Sequence, residues 1–317
     1  MANIVVGVED SFRAQDAVAL AGDLAGPANA EVLAVSAYRF DDDPAAHYNL
    51  AIRPSLQETT DRVLDRACQP LSQLRVHRLA VADPSPARAL IRAATEAGAT
   101  LIVVGSSHGE FTGRLRPGST AWRLLQGAPC AVALAPQGYR MRPHLTFNRV
   151  TAGFDGSAGG YAALSAAARI AHATGQTLRV VSVFAPDALA PPWLHAAPGF
   201  LRVSPDAERT ARMTLERAVA DHPGAEPAFL VGDPGRELAR ESEVSDLLVI
   251  GSRSYGPEGA LVLGGVSDHV MRTAACPALI VPNGVETPLA ELFPTCGKLR
   301  IDSTDAPGSR AFPVPVA

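Results

Sequence analysis

The chain has 317 residues, 47% of them hydrophobic, 19% charged and 5% aromatic, and a formal net charge of −4. That length suggests two domains at roughly 100–200 residues each, and the apolar fraction excludes a globally disordered chain. The mild acidity argues against a protein that coats nucleic acid or anionic membrane, and Lys298, the single lysine, rules out a G-x-x-x-x-G-K-[ST] phosphate loop.

Along the chain, apolar runs of strand type alternate with stretches of helical period. Residues 4–8 (IVVGV) read as a buried strand, after which Ser11 caps a helix with an inner stripe of Ala14, Ala17, Val18, Ala21 and Leu24. A second strand over 31–38 leads to a polar, Pro-containing loop at 39–53 and a helix over 55–68. A third strand at 75–82 is followed by Ser85 and Pro86, an N-cap and first-turn pair for a helix that ends near Gly98. Strands at 100–105 and 130–136 close the first half. The second half repeats the order, with strands near 148–154, 177–184, 227–231, 246–251 and 277–282. Its first helix carries Tyr161, Leu164, Ala168 and Ala171 on one face.

Strands that are almost wholly apolar, alternating with amphipathic helices, imply a parallel sheet covered on both faces. The expected fold is α/β: two repeated doubly wound, Rossmann-like domains, each a five-stranded, mainly parallel sheet flanked by helices. They span residues 1–137 and 147–283, and 284–317 reads as a mobile C-terminal tail. The segment MANIVVGVED has no leader character, and no run of about 18 apolar residues predicts a transmembrane helix. Cys68, Cys130, Cys276 and Cys296 show neither C-x-x-C nor zinc spacing, so a reduced, cytoplasmic setting is expected.

The two halves are copies. Gly7, Ser11, Gly105, Gly118, Cys130 and Pro136 recur as Gly153, Ser157, Gly251, Gly264, Cys276 and Pro282, each 146 residues later. Asp83-Pro84 and Asp233-Pro234 are offset by 150 instead, so the second copy gains four residues before that point and loses four after it. The loss falls in a helix, where four residues are about one turn.

Open α/β sheets bind ligands beyond the carboxyl ends of their strands. There the copies read GSSHGEFTGRLRPGST from Gly105 and GSRSYGPEGALVLGGVS from Gly251. Glycines let backbone approach a ligand closely, and the helix after Gly118 or Gly264 offers unpaired N–H groups to an anion. Ser119 and Thr120 add hydroxyls in the first copy, where Arg114 and Arg116 favour phosphate and Glu110 opposes it. Gly265, Val266 and Ser267 occupy the same stretch of the second, with Arg253 in favour and Glu258 against.

At these motifs the chain resembles a known family. Segments close to V-x-x-D-G-S at each first strand (V-G-V-E-D-S and A-G-F-D-G-S), to G-D-P before each third helix (A-D-P and G-D-P), and to V-V-G-S…G-S…C-P…V-P beyond it (V-V-G-S…G-S…P-C…A-P and V-I-G-S…G-G…C-P…V-P), twice in register, resemble the universal stress protein family in its tandem two-domain form. The resemblance covers about residues 3–136 and 147–283. It implies an adenine nucleotide alpha hydrolase-like fold and a stress-response protein that binds an adenine nucleotide, ATP with Mg2+ as companion ion, in at least one half. ATP-binding members carry G-x2-G-x9-G-[ST] in this loop and an aspartate after the first strand that contacts adenine. The first copy matches at Gly105, Gly118 and Ser119, but has His108 at the second glycine, with Gly109 one place later. At its aspartate position stands Glu9, beside Asp10. The second copy keeps Asp155, Gly251 and Gly264, but has Ser254 for the second glycine and Gly265 for the hydroxyl. Val8, Val35, Thr120, Val181, Val266 and Ser267 complete the implied lining, and Ser119 with Arg114 tips the choice towards the first copy.

No general base, nucleophile pair or metal cluster is evident, so turnover is expected to be slow or absent. Family members dimerise through the fifth strand, which implies an intramolecular pseudo-dimer of the halves and leaves a homodimer open; two apolar edges would be covered. No nucleic acid or membrane partner is expected. The alternative is a nucleotide-free scaffold that acts through protein contacts on 39–53, 185–205 or the tail. A remote third reading takes Ser107 in G-S-S-H-G as a hydrolase nucleophile, a pattern that requires a helix directly after the serine.

Overall fold

The computed structural model describes residues 4–40, 49–107, 114–142, 148–186, 205–252, 264–282 and 289–293, with 49–51, 205, 290 and 291 described by backbone alone. The first half runs β1 (Ile4–Gly7), α1 (Phe12–Ala28), β2 (Val32–Tyr38), α2 (Asn49–Cys68), β3 (Val76–Ala82), α3 (Pro86–Ala97), β4 (Leu101–Gly105), α4 (Ser119–Leu124) and β5 (Ala131–Ala135). The second runs β6 (Arg149–Gly153), α5 (Ala158–Thr174), β7 (Thr177–Phe184), α6 (Pro205–Ala220), β8 (Glu226–Val231), α7 (Pro234–Glu241), β9 (Leu247–Gly251), α8 (Gly265–Thr273) and β10 (Ala278–Val281), followed by α9 (Leu289–Leu292).

Local chemistry sets these boundaries. The hydroxyls of Ser11, Ser85 and Ser157 accept the N–H groups of Ala14, Arg88 and Gly160, satisfying donors that a helix start leaves without partners. At the other ends of α1, α3 and α5, Asn29, Gly98 and Gly175 take left-handed conformations and return their N–H groups to the last turn. α2 begins at Asn49 rather than near 55. Pro54 lies inside it, and a proline near a helix start removes one early N–H without ending the helix. α3 has 12 residues and α7 has 8, so the four-residue loss in the second copy is one turn of helix.

The ten strands form one sheet in the order β3-β2-β1-β4-β5-β10-β9-β6-β7-β8. Every neighbouring pair is parallel except β5 and β10, which meet antiparallel. Ala133 faces Leu279 in that register, two equivalent residues of the copies, so a pseudo-twofold axis passes between them. Both strands are wholly buried and cover each other's apolar edge. The carboxyl ends of the two half-sheets therefore open on opposite edges of the molecule. One core lies beneath α1, α2, α5 and α6 and the other beneath α3, α4, α7 and α8.

The expected stripe of α1 is buried throughout. α5 differs, because Tyr161 is 46% exposed and packs edge-on against Phe154 with ring centroids 5.0 Å apart. Its inner face is made by Gly160, Ala163, Leu164, Ala167 and Ile170. The chain leaving each fifth strand packs on the first helix of its own half. Buried Asp16 of α1 accepts the N–H groups of Gly138 and Arg140 at 2.9 and 3.0 Å and the Arg140 guanidinium at 3.1 Å, while Tyr139 donates its hydroxyl to Asp23 at 2.7 Å. In the segment expected to be a tail, Leu289, Leu292 and Phe293 are buried, and Arg169 of α5 donates to the Phe293 carbonyl.

Candidate functional site

Each crevice lies beyond the carboxyl ends of the first and fourth strands of a half, where the strand order reverses. Its floor is set by a backbone approach. A Cβ on Gly105 would stand 2.4 Å from the Arg13 carbonyl oxygen, and one on Gly251 would stand 2.4 Å from that of Gly159. Glycine is required at the end of β4 and β9 because the first turn of α1 or α5 sits directly on it. These two glycines thus have a packing role that the sequence motif conceals.

In the first crevice, Val8 donates its N–H to the Val35 carbonyl at 2.8 Å, continuing the β1–β2 ladder. Glu9 accepts the Ser11 hydroxyl at 2.8 Å and the Arg13 guanidinium at 3.1 Å, and Asp10 pairs with Arg66 of α2 at 3.5 Å. Arg13 Nε is buried without a hydrogen-bond partner. Ser106 accepts the Arg116 N–H at 3.1 Å and Ser107 donates its own to the Arg116 carbonyl at 2.6 Å, so the chain returning to α4 runs beside Ser107. Residues 114–118 lie outside any helix. Gly118 is the extended N-cap of α4, followed by exposed Ser119 and half-buried Thr120. His108, Gly109 and Glu110 lie outside the described residues.

Arg114 does not turn towards the first crevice. Its guanidinium donates to the Thr273 carbonyl and to Glu243, both at 2.9 Å and both in the other half. The cation read from sequence as a phosphate partner is a bridge between the copies. It reaches because antiparallel β5 and β10 set the carboxyl end of one half beside the amino end of the other.

The second crevice keeps the same frame with different side chains. Phe154 donates to the Val181 carbonyl at 2.8 Å. Asp155 is exposed, and its Oδ1 accepts the N–H and the hydroxyl of Ser157 at 3.0 and 2.5 Å. Gly159 stands where the first copy has Arg13. A Cβ on Gly160 would stand 2.5 Å from Asp155 Oδ1 and 3.1 Å from the Asp155 backbone nitrogen, so glycine there leaves the carboxylate its place. Gly264 is the extended N-cap of α8. A Cβ on Gly265 would find nothing within 4 Å, Val266 is exposed, and buried Ser267 donates its hydroxyl to the Gly251 carbonyl at 3.0 Å. Ser267 thereby fastens the first turn of α8 to the end of β9. Ser254, Arg253 and Glu258 lie outside the described residues.

Two further features bound the chemistry. A polar cleft of about 600 Å³ is lined by Arg142, Arg149, Thr177, Ser242, Asp246 and Ala275. It sits at the amino ends of the second half's strands, at the opposite end of that half from its own crevice. Burial pushes the Cys130 and Cys276 thiols up to about 12, which keeps them protonated and unreactive.

The sequence profile of the Universal stress protein family matches residues 1–136 and again residues 146–282. The chain belongs to that family. A universal stress protein of Mycobacterium tuberculosis is 26% identical over 216 residues, covering 66% of this chain and 70% of the relative. One from Thermus aquaticus is 31% identical over 140 residues, 43% of this chain and 98% of the relative. The crystal structure of a universal stress protein from Archaeoglobus fulgidus has the same fold, with a TM-score of 0.66 at 17% identity over 89% of this chain and 99% of that one. As a tandem universal stress protein, this chain closes its half-sheets on one another through their fifth strands. No helix among the described residues is long and apolar enough to cross a membrane.

Sequence reasoning missed Arg13 and Glu243. The 146-residue offset carried a signal for the first, since it aligns Arg13 with Gly159 and so marks the crevices as unequal.

Proposed function

We propose that this universal stress protein is a stress-response binding module that takes an adenine nucleotide, ATP foremost, in the crevice of its second half. The observation that carries the reading is the pairing of exposed Asp155 at the end of β6 with the first turn of α8 beside the end of β9. A carboxylate there can accept the exocyclic amine of adenine. The first-turn N–H groups of α8, with the positive end of its dipole, suit a phosphate.

The residues present fit such a ligand. Gly159, Gly160 and Gly265 bring no side chains into the crevice, and the space at Gly265 is open. Loss of the usual hydroxyl at position 265 weakens phosphate binding by about 0.5–1.5 kcal/mol without abolishing it. Nucleotide, when bound, supplies a charge state to be read, and the protein's own groups bind and orient it. Nothing among the described residues offers a base aligned on a nucleophile, so the reading is of retention rather than turnover.

Equilibrium dialysis of the full chain against labelled ATP and Mg2+, with wild type beside Asp155→Ala, tests this. Retention by wild type and about tenfold weaker retention by the variant are expected from one lost charged hydrogen bond. Equal retention by both would remove Asp155 from the site.

A further inference from the structure

Three contacts tie one segment of the first half to the carboxyl end of α8, and a fourth ties it to Glu243, just past the end of α7. Arg114 donates to the Thr273 carbonyl and to Glu243, each at 2.9 Å. Fully buried Leu115 donates its N–H to the Ala274 carbonyl at 2.7 Å. The Arg272 guanidinium lies 4.4 Å from the Trp122 ring centroid. The contacts to Thr273, Ala274 and Arg272 grip α8 at its carboxyl end, where a cation on the last carbonyls also complements the helix dipole, and the Glu243 pair orients that cation.

The grip continues to the other end of α8. Arg272 also pairs with Asp268 of the first turn at 3.1 Å, and the neighbouring Ser267 fastens that turn to Gly251. A contiguous run of side chains thus joins Trp122 to the amino end of α8. The arrangement has no mirror image. Across the 146-residue offset, Arg114, Glu243, Trp122 and Arg272 correspond to Ala260, Ala97, Asp268 and Gln126, which cannot repeat the ion pair or the ring contact.

We propose that the segment Arg114–Trp122 is a strap through which the first half positions α8, making Arg114 and Trp122 positioning residues for the second crevice. The proposal rests on the nucleotide reading for its consequence in affinity, but not for the strap itself. With the strap fastened, the first turn of α8 is held against β9 and its N–H groups are preorganised for phosphate. With it released, α8 frays and the same groups must be ordered by the ligand, which weakens binding. The first half's loop thereby serves the opposite crevice instead of its own.

The experiment uses the full-length chain as wild type, Arg114→Ala, Glu243→Ala and the charge exchange Arg114→Glu with Glu243→Arg. Hydrogen exchange of the α8 amides and native mass spectrometry with Mg-ATP are read together. Both single variants are expected to exchange faster across 265–273, with β1 and α1 unchanged, and to bind roughly 3- to 10-fold more weakly. The charge exchange re-forms the ion pair but leaves the Thr273 carbonyl without its donor, so partial recovery of both is expected, which general damage would not give. Unchanged α8 exchange in the single variants overturns the strap. Faster exchange with unaltered affinity overturns its control of the crevice. A wild type that binds no nucleotide refutes the nucleotide reading and the claimed effect on affinity, while the exchange data alone decide the strap.

Discussion

Replacing Gly251 with alanine separates packing from ligand contact at the crevice floor. The added Cβ would lie 2.4 Å from the Gly159 oxygen and 2.6 Å from its carbonyl carbon, both backbone atoms that no rotamer change can move. Cβ contacts essentially never fall below 3.0 Å, so the first turn of α5 must retreat by about 0.6 Å or more. Overpacking of this kind costs about 1–3 kcal/mol, and a backbone obstacle puts Gly251→Ala at the upper end. At about 2–4 °C per kcal/mol, a melting temperature lower by roughly 6–12 °C is expected by calorimetry. Gly105→Ala, with 2.4 Å to the Arg13 oxygen, should behave alike. Gly265→Ala meets nothing within 4 Å and should be neutral or stabilising by up to about 1 kcal/mol. A Gly251→Ala melting point within about 2 °C of wild type would refute the packing argument. If it holds, loss of nucleotide binding in that variant would say nothing about phosphate contact.

Other consequences are quickly checked. In a Cys296→Ser background, native protein should leave Cys68, Cys130 and Cys276 unlabelled by a thiol reagent and release all three only in denaturant, because burial raises each thiol above its usual range. The Arg88 guanidinium and the Ser85 N–H hold the Asp83 carboxyl below the ordinary carboxylate range. Asp83 therefore stabilises the fold above about pH 4 and loses that contribution as pH falls through its folded value. Arg88 is largely exposed, so Asp83→Asn should cost only about 1 kcal/mol at pH 7, and the two melting curves should converge as pH falls below the carboxyl's lowered folded value. Asp16→Ala strips the acceptor from the Gly138 and Arg140 N–H groups and from a buried ion pair, and should lower stability by about 2–4 kcal/mol in urea titration.

What the sequence made legible was whatever is local or repeated. Ser11, Ser85 and Ser157 announced their helices because a cap and its partner lie three residues apart. The 146-residue offset announced the duplication, and the apolar fifth strands announced their need for cover. Long-range partners left no local trace. Gly105 and Gly251 look like phosphate glycines, yet their steric partners lie 92 residues back, at positions 13 and 159. Arg114 looked like a phosphate cation because nothing nearby in the chain predicts Glu243, 129 residues away. α2 starts six residues before the expected 55 because the polar stretch ahead of it carries no local helix-start signal and Pro54 is accommodated within the helix. Tyr161 fitted a helical stripe by period, but its ring lies over Phe154 at the half-exposed rim of the core.

Titration calorimetry of the full-length chain with Mg-ATP is the most direct measurement of the central claim. One nucleotide per chain with a micromolar to submillimolar dissociation constant is predicted, weakened about tenfold or more by Asp155→Ala and left in place by Glu9→Ala. No heat at millimolar nucleotide, or binding that survives Asp155→Ala and disappears with Glu9→Ala, would contradict it.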